Sequence, residues 1–468
     1  MKYIKNNKTL VDFIQLFLYI TTFSCVLFIL NFQIFSDYFS YILCSEIVTT
    51  EMSFRDTIFE INFPVSCDLD EYIVGIENPL AITTYDHSYQ FRIMYFFYLS
   101  LISKILGIFL IQGTLLYYFS TFVFGQILLV LICTHIVSKL VKFDAVRDRT
   151  TKFLIATLLV TSPLFKFGIF DPSQQTFVSL SIFLSLFLIK SDYIRKPSKV
   201  YYFSILFGLL YLVNKVFFLN LCILLILHFV YTKIDFVDYI VFYSWRLISI
   251  FLAPNILYLI YFEMNNLSPY SAVSEKWGHF VWIKYYLMGG EKHRGEWYCH
   301  NIPDNFVCYF NDTLQTIEYI FIPILLILYL GIRNGYISLN QLSLKHLKIS
   351  KYEDFNLANS IVVIFILSFS FWSLIGWYPP VRFNLYTIGP LFTFLFIIIM
   401  SKMKYLIIEV TLFYVIYFLQ LPHWSNQTVG VFNIVFICSI ILFIYIILRN
   451  EMYMKKKNEH YRKKSNLY

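Results

Sequence analysis

The sequence predicts an all-α, polytopic integral membrane protein of about twelve spanning helices, each crossing needing about 20 apolar residues. Three observations carry that expectation. The 468-residue chain is 58% hydrophobic and only 14% charged, with a mean hydropathy of +0.65. Soluble domains run nearer about 45–50% apolar and 25% charged. Its apolar runs are continuous, as at 203–212 and 361–369, whereas a membrane barrel shows alternating segments of about ten residues. Clusters of Lys and Arg separate the runs, as cytoplasmic loops do. Helices satisfy their own backbone hydrogen bonds, which lipid cannot do for them.

Helices are expected near Phe13–Asn31, Leu115–Val137, Phe153–Phe170, Gln174–Ile189, Val200–Val213 and Val216–Tyr231. The rest are expected near Tyr239–Phe262, Ile317–Ile332, Ala358–Ile375, Asn384–Met400, Tyr405–Gln420 and Gly430–Leu448. The start of the chain also reads as a secretory signal. Its apolar stretch Phe13–Leu30 is long for one, and no small-x-small site follows, so an uncleaved first helix is expected.

Ile93–Ile111 is apolar enough for a thirteenth span, and the positive-inside rule decides against it. Lys139, Lys142, Arg147, Arg149 and Lys152 should be cytoplasmic. So should Lys190, Arg195, Lys196 and Lys199, then Arg333, Lys345, Lys348 and Lys351, then the basic tail. All share a side with Lys2, Lys5 and Lys8 only if Ile93–Ile111 stays on the outer face as an interfacial or re-entrant helix. Lys104 in its middle fits. A thirteenth span would need an opposite N-terminus. The chain then forms one membrane domain over 1–468, with outer loops at 32–112 and 263–316 and a cytoplasmic tail at 449–468. The net charge of +8 belongs to inner loops and tail and implies no nucleic-acid partner.

Cysteines agree with this sidedness. Cys25, Cys133, Cys222 and Cys438 lie in apolar helices, while Cys44, Cys67, Cys299 and Cys308 lie in the outer loops. An oxidising outer compartment and two disulfides are expected, most simply Cys44 with Cys67 and Cys299 with Cys308, though three pairings are possible. Zinc is the alternative, because His300 adjoins Cys299, but there is no CxxC pair.

Charged residues on the outer side need a reason. Asp86, beside His87, precedes Ile93–Ile111 with Arg92 six residues on. It reads either as a general base for a hydroxyl or as a helix cap. Asp68, Asp70 and Glu71 in CDLDEY read as a solvated acidic turn. Lys166, Lys215 and Arg382 sit at outer helix ends, at the depth of a lipid phosphate; snorkelling to headgroups is the plainer reading. Trp277, His279, Trp282, Lys292 and Arg294 crowd the second loop. Aromatic faces beside cations suit sugar and anion contact, or a membrane-surface anchor. No GxGxxG or P-loop pattern is present, and no ladder of intramembrane carboxylates suggests ion-coupled transport.

In layout, with one helix, a long outer loop ending in an interfacial helix and many later spans, the chain resembles the GT-C-type polyprenyl-phosphate-sugar glycosyltransferases. The segment YDHSYQFR, Asp86 to Arg92, looks like the acid-before-Arg pattern of their oligosaccharyltransferase-like members. FDPSQQTF, NKVFF and PPVRFN make it most similar to the serotype-converting O-antigen glucosyltransferases.

The resemblance implies a hexosyltransferase that takes a sugar, by analogy glucosyl, from a polyprenyl-phosphate-linked donor. The acceptor would be a surface glycan such as the O-antigen of lipopolysaccharide, met on the outer face of a bacterial inner membrane. Asp86 would be the base. Arg92, Lys166, Lys215 and Arg382 would hold the lipid phosphate, and His87 and the second-loop residues the sugar or acceptor. Many members carry two adjacent acids where this chain has Asp86-His87, which leaves a divalent magnesium or manganese ion open. An O-antigen or capsule polymerase, relying on His293, Arg294 and His300, is the first alternative, and a lipid-linked sugar flippase the second.

Overall fold

The computed structural model describes residues 2–30, 45–54, 57–66, 69–84, 92–141, 143, 146, 148–170, 174–190, 192–232, 234–267, 302–334, 357–375, 387–403, 405–419 and 432–465. Helix α1 spans Lys2–Leu30. A hairpin of β1, Ser45–Phe54, and β2, Thr57–Ser66, follows, antiparallel with Phe54 opposite Thr57. Two short helices then lead to the bundle: α2, Leu69–Glu77, and α3, Ile93–Leu106. They are followed by α4 (Leu115–Leu140), α5 (Asp148–Thr161), α6 (Pro163–Gly168), α7 (Phe177–Lys190), α8 (Pro197–Tyr211) and α9 (Phe217–Thr232). Then come α10 (Phe236–Met264), α11 (Ile302–Tyr319), α12 (Phe321–Arg333), α13 (Leu357–Ile375), α14 (Gly389–Lys402), α15 (Ile407–Leu419) and α16 (Phe432–Ser465).

The chain is thus predominantly helical, and every segment expected to be helical contains a helix. Among the described residues four are long and apolar enough to cross a membrane: Leu10–Leu30, Leu116–Leu140, Phe236–Met264 and Phe436–Lys456. Shorter apolar helices of 10–17 residues include Ile93–Leu106, Phe177–Lys190, Phe217–Thr232 and Gly389–Lys402. A 14-residue helix such as α7 rises only about 21 Å, against a hydrocarbon core of about 30 Å.

Two departures from expectation have local causes. The hairpin falls in the expected first loop, where IVTT and TIFEINF are rich in β-branched and aromatic residues. The expected helix at Ile317–Ile332 is two helices, and the first begins at Ile302, inside the expected second loop. The break at Ile320 precedes Pro323, which lacks an N–H and whose ring collides with the carbonyl four residues back.

Local chemistry sets the ends of elements. Thr114 caps α4 by accepting from the Tyr117 amide at 3.3 Å. Pro197 occupies the first turn of α8, where its missing N–H costs nothing. Helix α7 is buried on nearly all sides, the mark of a central helix. Between α7 and α9, Asn220 Nδ2 donates to the Ser181 carbonyl and to Ser185 Oγ, both at 2.8 Å, while Ser181 Oγ donates back at 2.5 Å. Helices α8 and α10 meet through small residues. Ser204 Oγ donates to the Leu247 carbonyl at 2.5 Å, and one turn on, a methyl at Gly208 would overlap the Phe251 carbonyl.

Polar contacts sort the helix ends into two sets. At one end Arg149 of α5 pairs with Asp12 of α1 at 3.7 Å. Lys190 of α7 donates to the Leu140 carbonyl of α4, and Arg449 of α16 pairs with Glu409 of α15. Arg333 of α12 holds Glu451 bidentately at 2.6 and 2.7 Å, with the Tyr329 hydroxyl on the same carboxylate. At the other end Tyr118 of α4 meets Glu77, the Met94 amide of α3 meets the Leu212 carbonyl after α8, and Lys166 of α6 meets Phe418 of α15. Helices α4, α7 and α15 each run from one set to the other. Arg149, Lys190 and Arg333 of the expected cytoplasmic loops belong to the first set, and Arg92, Lys166 and Lys215 to the second.

Helix α3 has 14 residues and buries Tyr95, Phe96, Leu99 and Ile102 against its neighbours. Phe97, Leu101, Ile105, Ile108 and Phe109 form an exposed apolar stripe beside the exposed Lys104.

Candidate functional site

Four chain segments meet at the end of the bundle away from the basic loops. The first is α2, where Tyr72 is 1% exposed and ringed by Tyr95, Phe96 and Phe122, with centroids at 6.2, 5.7 and 5.9 Å. CDLDEY was expected to be a solvated acidic turn. Leu69 onward is instead helical, and Tyr72 faces inward because α2 packs Gly75 directly on the Phe96 ring.

The second segment is the 3-10 turn Gln174–Thr176 before α7. Gln174 is 1% exposed, and its Oε1 accepts from the Tyr72 hydroxyl at 3.1 Å and from Arg92 Nη1 at 3.2 Å. Thr176 donates to buried Gln126 of α4, which fixes the turn to the bundle.

Arg92 is the third, at the cap position of α3. The Met94 amide donates to the Leu212 carbonyl at 3.3 Å, seating the start of α3 on the last segment, the turn between α8 and α9. That turn is tight. Val213 and Asn214 amides return to the Leu210 carbonyl at 2.8 and 2.9 Å, and Asn214 Oδ1 accepts from the Val216 amide at 3.0 Å. Among the described residues nothing accepts from buried Asn214 Nδ2. Lys215 follows directly.

Burial first, and the nearby Arg92 guanidinium second, hold the Lys215 ammonium down to about 8. A like charge close by disfavours protonation, and an anion between the two would restore it. Arg supplies a planar fork of donors and Lys a point charge. The arrangement is chemically suited to an oxyanion of phosphate size and charge.

The structure therefore brings together Arg92 and Lys215, two of the four expected phosphate cations. Lys166 shares their end of the bundle but has another setting: it is 1% exposed and its Nζ donates to the Phe418 carbonyl at 2.8 Å. Arg382 lies outside the described residues, as do Asp86, His87, Trp277, His279, Trp282, Lys292 and Arg294. Cys308 is disulfide-bonded, and Cys25, Cys133, Cys222 and Cys438 are free thiols. Cys44, Cys67 and Cys299 also lie outside the described residues. Among the described residues no cluster of His, Cys, Asp or Glu could hold a metal ion.

Tyr72, Gln174 and Asn214 were not anticipated as site residues. The one available signal was the polar run opening a helix in FDPSQQTF. In comparisons with known proteins, no family model, no curated protein and no solved structure matches the chain.

Proposed function

We propose that the chain is a GT-C-like membrane glycosyltransferase with about twelve crossings and both termini cytoplasmic. It transfers a hexose, glucosyl by resemblance, from a polyprenyl-phosphate carrier to a surface glycan such as O-antigen, on the outer face of a bacterial inner membrane. One observation carries the reading: Arg92 and Lys215, far apart in sequence, share one site at the bundle end away from the basic loops. A lipid-linked phosphate meets the protein at that depth, whereas cations placed only to snorkel need not converge.

The chemistry follows from that placement. An acceptor hydroxyl loses its proton to the Asp86 carboxylate. Its oxygen attacks the anomeric carbon, the bond from that carbon to the phosphate oxygen breaks, and the carrier leaves as polyprenyl phosphate with inversion. Charge develops on the departing phosphate, where Arg92, Lys215 and Arg382 stabilise it. His87, Trp277, His279, Trp282, Lys292 and Arg294 supply sugar and acceptor contacts.

The test is Asp86→Asn, Lys215→Ala and Arg382→Ala, with surface polysaccharide structure as the readout. The expected result is loss of a side-branch sugar at unchanged chain length. Full sugar addition by inserted Asp86→Asn would remove Asp86 as base. Loss of chain length would instead point to a polymerase.

A further inference from the structure

The two side-chain atoms of Asn214 have opposite fates. Its backbone carbonyl accepts from the Phe217 amide at 3.2 Å, and its Oδ1 accepts from the Val216 amide at 3.0 Å. That is the work of a cap at the start of α9, and Asp, Ser or Thr would do it as well. Among these caps only asparagine adds an NH2 group. The bond from Val216 fixes which way the amide lies, because a backbone N–H is accepted by the oxygen and the NH2 must take the other side. Asn214 is 7% exposed, and among the described residues nothing accepts from Nδ2. A buried donor left without an acceptor costs stability, and a serine cap carries no such amide. The turn that Oδ1 closes has Lys215 as its middle residue, and the Leu212 carbonyl of the same turn holds the Met94 amide at the start of α3. An aspartate would cap α9 equally well but would set a negative charge beside Lys215. An oxyanion at Lys215 supplies the acceptor that Nδ2 lacks.

We propose that Asn214 is a further binding residue for the phosphate of the lipid carrier, with Nδ2 donating a hydrogen bond to a phosphate oxygen beside Lys215. This rests on the phosphate reading above. The amide adds a directed donor without adding charge, and the turn holds it in place before the phosphate arrives, so little ordering is needed on binding.

The test uses full-length protein in detergent, with farnesyl phosphate as the probe, titrated calorimetrically, and thermal melting alongside. Asn214→Ser keeps a cap, but its hydroxyl ends one bond short of the Nδ2 position. It should melt like the parent and bind about tenfold more weakly, as expected for one hydrogen bond to a charged group. The pH profile of binding should keep its parental shape, because Lys215 is untouched. Asn214→Asp keeps the shape and the bond from Val216 but replaces the donor with an acceptor. It should bind more weakly than Asn214→Ser, which keeps the test decisive if the serine variant does not fold. Parental affinity in either variant would overturn the assignment of Asn214 alone. So would a loss in Asn214→Ser that comes with a lower melting midpoint or an altered pH profile, since the turn and not the donor would then be at fault. Parental affinity in Lys215→Ala would overturn the phosphate reading itself.

Discussion

The ammonium of Lys166 donates to the carbonyl of Phe418 at 2.8 Å, joining α6 to the last turn of α15. A helix ends with carbonyls that lack intrahelical partners, and a cation there satisfies one and meets the negative end of the dipole. Lys166 is therefore a tie between helices, whereas Lys215 stands at the proposed anion site. Lys166→Met is expected to lower the melting midpoint. It should leave farnesyl phosphate affinity within about twofold of the parent, as for separate sites. Lys215→Met should do the opposite. A large affinity loss in Lys166→Met would return Lys166 to the phosphate site.

Lys215 also gives the site a pH dependence. Burial, with Arg92 adding to it, holds its folded pKa at about 8, and only the protonated form attracts an anion. A phosphate monoester has its second pKa near 6, so above pH 7 the probe's charge is nearly constant. Affinity should be greatest below pH 8 and fall by up to about tenfold per pH unit above it. Lys215→Arg keeps its charge through this range and should abolish the fall. Calorimetric titration from pH 7 to 9.5 reads the effect directly, and an unchanged profile in Lys215→Arg would assign the titration to another group.

Sequence made some of this legible and hid the rest. The helices were visible because a spanning segment must be apolar along its whole length. Lys215 stood out because a cation at the wrong helix end breaks a simple rule, and Arg92 because it closes the segment YDHSYQFR that begins at Asp86. Lys166 breaks the same rule, and nothing local in PLFKFGIFDP tells a buried tie from a half-buried ligand. Gln174 showed only as part of the polar run FDPSQQTF, and its partner was hidden for a different reason. A neutral amide carries no charge signal, and its partner Arg92 lies 82 residues away. The hairpin went unseen because its alternation is slight against a uniformly apolar chain.

The contact between α8 and α10 should be intolerant at one position and tolerant at another. Gly208 lies against the Phe251 backbone, and any added methyl must push the helices apart. Gly208→Leu should cost several kcal/mol, about 3 or more, as overpacking of a close contact does. Ser204→Ala loses one interhelical hydrogen bond, worth about 1 kcal/mol within a membrane bundle. Melting in mild detergent should show a large drop for the first and a small one for the second. Equal, small drops would mean that α8 and α10 do not approach so closely in the membrane.

Sidedness is open to a direct chemical test, because the two ends of the bundle carry exposed residues of opposite expectation. Asn78 follows α2 at the end of the bundle away from the basic loops, and Asp148 begins α5 among the basic residues. Both are exposed. In a background whose free thiols are replaced, Asn78→Cys should react with an impermeant maleimide added to intact cells. Asp148→Cys should react only after the membrane is opened. The reverse pattern would turn the protein over, placing the Arg92 and Lys215 site in the cytoplasm, where a nucleotide-linked donor and not a lipid-linked one would be at hand. Labelling of both in intact cells would mean that α4, which separates the two ends, does not cross. The positive-inside count favours the first pattern, because its weight comes from short loops close to the helices, where translocation of a cation is most costly.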